Sequence, residues 1–457
     1  MKQIQLTLIL FCLFAQTIFA QKEGYNWFFG SGAGLSFQTT PPTFVAGSPI
    51  NTPEGCSAIS DAEGNLLFYT DGMSVWNKNH TAMPNGTGLY GNFSSTQSGV
   101  IIPFPNSSTK YYVFTVEQTG NINGLCYSIV DMTLNGGLGD VTTKNIQLHT
   151  PSTEKITAVK HATLNAYWVI THPLNTNAFY VYLIDNNGVN HNPVVTSIGR
   201  IHEQALGYLK ASPDGSKIGI ARQGGGVDGF VEIFDFNNLN GTLSNPITFI
   251  NQSQAYGLEF SADSKKMYFT TLARGTRIAV NQVDLSLPTN TQIFNSLLKI
   301  DSVRCPVRGA LQLAPDRKIY IAKSNSTYLG VIHQPELAGT ACGVQDSAVF
   351  LGTALCKNGL PTFIQSYFLP YNQIVINQTC IEYPINFSLD NTLNVASVLW
   401  LFGDGTSSTE LAPAHIYTSA GTFTVQVTVN YTNGAIQNFT KEIIIYEKNE
   451  IHIIQAN

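Results

Sequence analysis

Apolar and polar residues alternate with a period of two along most of this chain. The runs are short and are broken by Gly, Asp, Asn and Pro, which predicts β-strands joined by tight turns rather than helices. One phrase recurs: "YLKASPDGSKIGIA" from Tyr208, "GLEFSADSKKMYFTT" from Gly257 and "GALQLAPDRKIYIAKS" from Gly309. Each copy reads as a strand, a turn built on an aspartate, a basic residue and a second strand. The turn aspartates Asp214, Asp263 and Asp316 recur at intervals of roughly 50 residues. Weaker copies turn at Asp61, Asn106 and Asn165. After the hairpins come third strands that close on Asp131, Asp185, Asp235 and Asp284, and then a more variable fourth strand such as "TLSNPITFI" or "TQIFNSLLKI".

Four strands in about 50 residues is the repeat of a β-propeller blade. A lone four-stranded sheet cannot bury both its faces, whereas blades stacked around an axis do so and keep few free edges. Six blades are legible from about Cys56 to Phe350. "GLPTFIQSYFLP" (359–370) reads as an innermost strand with no partners after it. "YNWFFG", "AGLSFQ" and "PTFVAG" near the start read as three outer strands with no innermost one before them. Joined, they predict a seventh blade closed from both ends of the domain; if the two ends do not combine, the count is six.

The pattern changes after "YNQIVINQT". From 378 to 446 the chain predicts a compact immunoglobulin-like β-sandwich, with Trp400 and Phe402 on one strand face and Phe423, Val425, Val427 and Val429 on another. The first twenty residues, with Lys2, the apolar "LTLILFCLFA" and "IFA" before Gln21, have the form of a signal peptide. Phe11 before Cys12 does not suit lipoprotein processing, and no later apolar run is long enough to span a bilayer. The expected organisation is therefore 1–20 signal peptide, 21–376 propeller, 378–446 sandwich and 447–457 tail, in an exported protein that is not an integral membrane protein. Its destination is the cell surface, the medium or the periplasm.

The 457 residues carry a formal net charge of −5 and only 12% charged residues, which argues against nucleic acid or an anionic surface as partner. Beyond Cys12 there are six cysteines, none in C-x-x-C spacing, so no zinc or redox site and no cofactor is expected. Cys342 and Cys356 flank one predicted strand and are the expected disulfide if one forms; the alternative is buried thiols.

The run Trp400, Phe402, Gly403, Asp404, Gly405, then Pro413, His415 and Tyr417, then Gly421, Phe423, Val425 and Val427 resembles the PKD (polycystic kidney disease-type) domain, with Phe423 where tyrosine is commoner. The resemblance implies an extracellular, usually non-catalytic module used for spacing, adhesion or contact. "NWFFGSGAGLSF", "SDAEGNLLFYTDGMSVWNKNH", "GALQLAPDRKIYIA" and "GLPTFIQSYF" resemble the N-terminal region of large secreted PKD-containing proteins of Bacteroidetes associated with gliding motility or type IX secretion. Such proteins usually continue into further repeats and a C-terminal sorting domain; this sequence stops at Asn457, so either it is a truncated chain or its final location differs. "DSV" (301–303) and "DSA" (346–348) resemble the short O-glycosylation pattern of the same phylum.

Gly403-Asp404-Gly405 reads as a tight turn, not a phosphate loop, because no helix follows it. "DNNGVNHN" from Asp185 offers alternating oxygens but Thr196 at the twelfth position, so a hairpin turn is expected rather than a calcium loop. No nucleophile elbow is present, and the repeated aspartates occupy turn positions. The candidate binding residues are Lys160 and His161 on one inner strand, expected to converge with His172 at the end of the next, Trp168 between them, Trp76 as a sugar-stacking platform and Asp71 as a hydrogen-bond partner for hydroxyls. Their alternative role is packing blade against blade. The function these features predict is an exported, non-enzymatic binding or adhesion protein for an extracellular glycan or an envelope protein. A secreted carbohydrate-active enzyme on a propeller scaffold and a structural part of the motility or secretion machinery are the alternatives.

Overall fold

The computed structural model describes residues 22–447, apart from 225–227, 370–373, 390–391, 393–394 and 432–435; the expected signal peptide lies outside the described residues. The chain divides into two compact units at Tyr371/Asn372.

The larger unit is all β. Six antiparallel sheets follow one another along the chain, each starting from an inner strand: Ser57–Ser60, Gly99–Pro103, Ser152–Lys160, Leu209–Ala211, Leu258–Phe260 and Leu311–Leu313. Five are four-stranded in simple sequential order, and the third also carries the short strand Gly188–Val189. The seventh sheet consists of Asn26–Phe29, Ala33–Ser36 and Thr43–Phe44, the three outer strands read from the sequence. Its inner place is taken by the segment 360–364, which forms no ladder among the described residues. It is fixed instead by Thr362 N–H to Cys56 O (2.8 Å), by Ser57 Oγ to Thr362 O (2.7 Å) and by Phe363 against Trp27 (ring centroids 6.0 Å). The domain is thus a seven-bladed propeller whose last blade uses both ends of the domain.

The recurrent phrase has a physical basis at each of its polar positions. The turn aspartate receives hydrogen bonds from the turn: Ser212 Oγ at 2.6 Å and Ser216 N at 3.0 Å on Asp214, and Ser261 Oγ at 2.6 Å and Lys265 N at 3.1 Å on Asp263. The basic residue that opens the second strand pairs with the aspartate that closes the third. Lys110–Asp131 lies at 3.5 Å and Lys266–Asp284 at 2.9 Å, and Lys217–Asp235 repeats the pair. In blade 5 the stretch "TQIFNSLLKI" is not one strand. The Thr289 side chain caps a short helix, Asn290–Asn295, by accepting from Gln292 N, and the strand begins only at Leu298.

At the start of the inner strands the blades are tied in a ring. Gly55 N–H donates to Ser95 O (2.9 Å), Gln97 to Glu154 O (3.1 Å), Glu154 to Ala205 O (3.2 Å) and Tyr208 to Tyr256 O (2.9 Å). Gly257 N–H donates to Thr270 Oγ1, which passes the link to Gly309 O, both at 2.9 Å. Ala310 N–H to Asn358 O and Asn358 N–H to Pro53 O, each 2.8 Å, complete the circle. Further along the axis, equivalent inner-strand positions meet as a wholly buried polar plug. Lys210 Nζ lies 3.0 Å from Glu259 Oε2 and also donates to Gln312 Oε1, and Gln365 reaches Glu259 at 3.4 Å. The centre is filled by paired side chains.

The second unit is a β-sandwich. Gly421–Tyr431 pairs with Ile436–Ile445 and with Val395–Leu401, which also holds Ser407–Ser408; the facing sheet is Ile374–Ile376, Ile385–Leu389 and Ala414–His415. Trp400, Phe402, Val425, Val427 and Val429 are buried between them. The strand Ile374–Ile376 pairs with Ile385–Leu389, so it belongs to the sandwich and not to the propeller, and the boundary at 376/378 moves to 371/372.

The expected Cys342–Cys356 disulfide is absent. All six described cysteines are free thiols. Cys342 precedes the strand Val344–Phe350 and Cys356 follows it, so the full strand, roughly 23 Å at 3.3 Å per residue, separates the two. Sequence proximity across a strand is distance, not contact. The Cys356 thiol donates instead to Lys357 O and accepts from Lys323 N.

The ring demands glycine where strands crowd the axis. A Cβ on Gly359 would stand 1.8 Å from Glu54 O. Gly359→Ala is expected to destabilise the propeller by about 2–3 kcal/mol, read as a shift in denaturation midpoint; a change within about 0.5 kcal/mol would contradict the ring geometry.

Candidate functional site

Strand direction decides which of the sequence-predicted residues can meet. An inner strand runs from the ring toward the far end of the axis, and the second strand returns. Lys160↔Tyr167 and Val159↔Trp168 are register pairs, while Ser152 faces Pro173 at the opposite end of the same ladder. Lys160, His161 and Trp168 therefore sit at the far end, and His172, like Asp71, lies at the ring end. The expected convergence of His161 with His172 does not occur.

All of these side chains but Lys160 have a structural partner. The His161 ring stacks on Trp168 (5.5 Å between centroids), and its Nδ1 accepts from Thr163 N and Leu164 N at 3.2 Å. Trp168 donates from Nε1 to Asn238 O in the next blade at 2.8 Å and is buried there. Asp71 Oδ1 closes a turn by accepting from Met73 N and Ser74 N at 2.9 and 2.8 Å; burial holds its carboxyl above the usual range despite those bonds. Trp76 stacks on Tyr69 at 5.5 Å. Lys160 is exposed at the far end, and its charge acts on Glu23, which burial pushes up to about 7. For Trp168, packing of blade against blade is the role observed.

His172 belongs to a buried pair. Its ring lies 4.3 Å from that of His202, and both are wholly enclosed. His172 Nδ1–H donates to Pro173 O at 3.0 Å; its Nε2 and both nitrogens of His202 have no hydrogen-bond partner. Burial first, then His202 and Lys155, holds His172 well below the usual imidazole range; burial, then Lys155 and Arg222, does the same for His202.

A different group gathers at the ring end of the axis. The residues just before the inner-strand glycines all point their chemistry there: Glu54 before Gly55, Tyr256 before Gly257, Arg308 before Gly309 and Asn358 before Gly359. Arg308 Nη1 donates to Glu54 Oε1 at 2.9 Å, and its guanidinium lies over the Tyr256 ring at 5.6 Å. Glu54 Oε2, Asn358 Oδ1 and the Tyr256 hydroxyl are buried without a partner. Burial, and next the charge of Glu154, push the Glu54 carboxyl up to about 7. Glu154 itself accepts from Thr96 N and Oγ1, both 2.9 Å, and from Thr119 N at 3.0 Å. Lys155 holds the carbonyls of Ala205 and Leu206, and burial pulls its pKa down to about 7.

Above this layer a cleft of about 260 Å³ is lined by Gln204, Leu206, Gln223, Gly224, Gln254 and Arg308. No hydrogen bond within the described residues occupies the three glutamine carboxamides. Each carboxamide offers two donors and an acceptor, so the cleft presents unspent hydrogen-bonding groups around one cation that is already half engaged by Glu54. Among the described residues no group of three metal-ligating side chains forms.

In the sandwich the resemblance residues are structural. Gly403 and Gly405 take positive φ (85° and 91°) around a turn in which Asp404 Oδ1 accepts from Thr406 N (3.0 Å) and Oγ1 (2.6 Å). His415 Nε2 lies 2.6 Å from Asp404 Oδ2, and its ring stacks on Phe402 at 4.2 Å. Burial works against the charge on Asp404, but the bonds from Thr406 and His415 hold its pKa below the usual range. Tyr417 Oη donates to Phe402 O at 2.7 Å and packs on Phe423, Pro413 O accepts from Phe387 N, and Trp400 Nε1 donates to Glu410 O. Gly421 opens the long strand Gly421–Tyr431.

Comparison with known proteins follows this division. The PKD domain family matches residues 370–445. Collagenase ColA of Bacillus cereus is 40% identical over 90 residues, 19% of this chain and 9% of that protein. The pre-pro-metalloprotease PrtV of Vibrio cholerae is 38% identical over 72 residues, 16% of this chain and 8% of that protein. The chain therefore spans less than a tenth of the length of these relatives. A putative 6-phosphogluconolactonase from Bacteroides fragilis is similar at 12% identity over 83% of this chain and 91% of that one, with a TM-score of 0.39. A PKD domain thus follows an N-terminal domain of propeller-like sheets, and no helix among the described residues is long and apolar enough to cross a membrane.

The buried histidine pair gives a pH test. Below about 6.5 the unfolded imidazoles take up protons that the folded pair refuses, so the pair's contribution to stability is lost as pH falls. The raised carboxyls of Glu23 and Glu54 act in the opposite sense between about 4.5 and 7, so the comparison must be with a variant. His202→Phe is expected to lose less stability than the parent between pH 7 and pH 5, by about 1–2 kcal/mol. Parallel melting-temperature curves for the two proteins would contradict the assignment.

Proposed function

We propose that this chain is an exported binding protein that holds a polar group of an extracellular glycan in the axial cleft of its propeller. The observation that carries the reading is the cleft itself: Gln204, Gln223 and Gln254 stand with unspent carboxamides beside Arg308, next to a ring of inner strands fixed by hydrogen bonds. Recognition of hydroxyls needs such preorganised donors and acceptors, and rigidity lowers the entropic cost of binding. The PKD domain acts as a spacer or contact module; similar segments occur in a collagenase and a pre-pro-metalloprotease. Placement among the secreted, gliding- or secretion-associated proteins of Bacteroidetes, at the cell surface or in the medium, belongs to the same proposal.

One observation favours a second reading as a carbohydrate-active enzyme. Glu54, with its pKa near 7 and the Glu154 charge beside it, has the protonation behaviour of a general acid. Release of reducing ends from a polysaccharide, abolished by Glu54→Gln, would replace the binding reading.

The full chain is expected to sediment with at least one insoluble polysaccharide and to lose that retention, tenfold or more in affinity, in Gln223→Ala/Gln254→Ala. Retention on isolated host envelope but on no glycan would contradict the proposal and favour a structural role in an envelope assembly.

A further inference from the structure

Resting on that reading of the cleft, we propose that the group it takes is an acidic sugar, a hexuronate residue whose carboxylate displaces Glu54 from Arg308. Three features of the site converge on this ligand class.

The first is the cation. Arg308 is the charged residue lining the cleft, and its side chain is 28% exposed while Glu54 beneath it is 4% exposed. The guanidinium thus has one side committed to a buried carboxylate and one side open. A planar fork of five donors binds a second carboxylate bidentately far better than it binds neutral hydroxyls. The second feature is the set of carboxamides. A polyol ring bearing a carboxylate engages both, its carboxylate the cation and its hydroxyls the carboxamides. The third is size. About 260 Å³ falls just short of the roughly 300 Å³ at which pockets begin to hold drug-sized ligands, and suits one ring.

Glu54 makes the exchange possible. Its second oxygen, Oε2, is buried with no partner, so the Arg308–Glu54 contact is a single hydrogen bond and not a two-pronged clamp. When Glu54 gains a proton it stays behind as a neutral acid, and Arg308 is released to the ligand. Binding is then linked to proton uptake at a carboxyl that titrates near 7. The charges facing Glu54 are Glu154 and Arg308, with the Asn358 carboxamide alongside; loss of the Glu54 charge removes its repulsion from both Glu154 and an incoming anion. Affinity for the acidic sugar therefore rises as pH falls through about 7, whereas affinity for its neutral counterpart does not.

Titration calorimetry on the full chain with galacturonate, galactose and glutamate, at pH 6 and pH 8, tests this. Galacturonate is expected to bind at least tenfold tighter than galactose and than glutamate at pH 6, and to weaken severalfold at pH 8 with proton uptake visible as buffer-dependent heat. Arg308→Gln should lose the preference for galacturonate over galactose; Glu54→Gln should retain it and flatten the pH dependence. Circular dichroism and melting of both variants show that they are folded, and Arg308→Lys, which keeps the charge but not the fork, should bind with intermediate affinity. Equal affinity for galacturonate and galactose overturns this inference while leaving a neutral-glycan cleft standing. Equal affinity for glutamate overturns it in favour of an acidic peptide. Absence of binding by every sugar at millimolar concentration overturns both it and the reading on which it rests.

Discussion

The ring of hydrogen bonds at the start of the inner strands is the constraint on which the propeller depends. Each blade is a sheet with two apolar faces, and it is stable only between two neighbours. A row of such sheets would leave its first and last blades half bare. The link from Asn358 N–H to Pro53 O joins the end of the domain to its beginning, so the apolar faces of all seven sheets find partners. The links also bring main chains so close that side chains are excluded at several points: a Cβ on Gly257 would lie 2.3 Å from Gly309 O, as one on Gly359 would lie 1.8 Å from Glu54 O.

The same geometry creates the site. Because the ring fixes all seven inner strands at one level, the residue before each inner-strand glycine is brought to the axis regardless of its type. Where that residue is Tyr256 or Leu206 it packs; where it is Glu54 or Arg308 it supplies charge in a place with little water. Burial then raises the Glu54 carboxyl toward neutrality, and the Arg308 contact only partly offsets it. Further along the axis the charges of Lys210 and Glu259 are spent on each other and on Gln312, while at the mouth Glu54 Oε2, Asn358 Oδ1 and the Tyr256 hydroxyl stay unpartnered. A buried pair of that kind is costly to break from one side, so it serves as a fixed floor.

Much of the fold was legible because the repeat states its own polar requirements. Asp214 and Asp263 mark turns, and the lysine after each turn meets the aspartate at the end of the third strand, so the periodic signal is both apolar and electrostatic. The three outer strands near Trp27 were readable for the same reason. The segment 360–364 was readable as extended chain, but not that it would be held by Cys56 and Ser57 rather than by a ladder, since a period of two does not reveal which edge a strand pairs with. The site was not legible by residue type. His161 precedes the strand Tyr167–Pro173 and His172 lies near its end, so the two stand at opposite ends of the hairpin. Trp76 stacks on Tyr69 and Trp168 on His161. The signal that finds Glu54 and Arg308 is their shared position, one residue before a repeat-equivalent glycine.

The most direct test of the account is hydrogen exchange of the native chain followed by mass spectrometry across residues 53–57, 308–312 and 356–362. If the ring closes the propeller, amides of Gly55, Ala310 and Asn358 exchange as slowly as those of the central strands Lys217–Arg222 and Lys266–Leu272, and all are released together near the global unfolding free energy. Rapid exchange at Asn358 and Gly55 while those strands stay protected would show a six-bladed core with loose ends, and the account would be wrong at its centre.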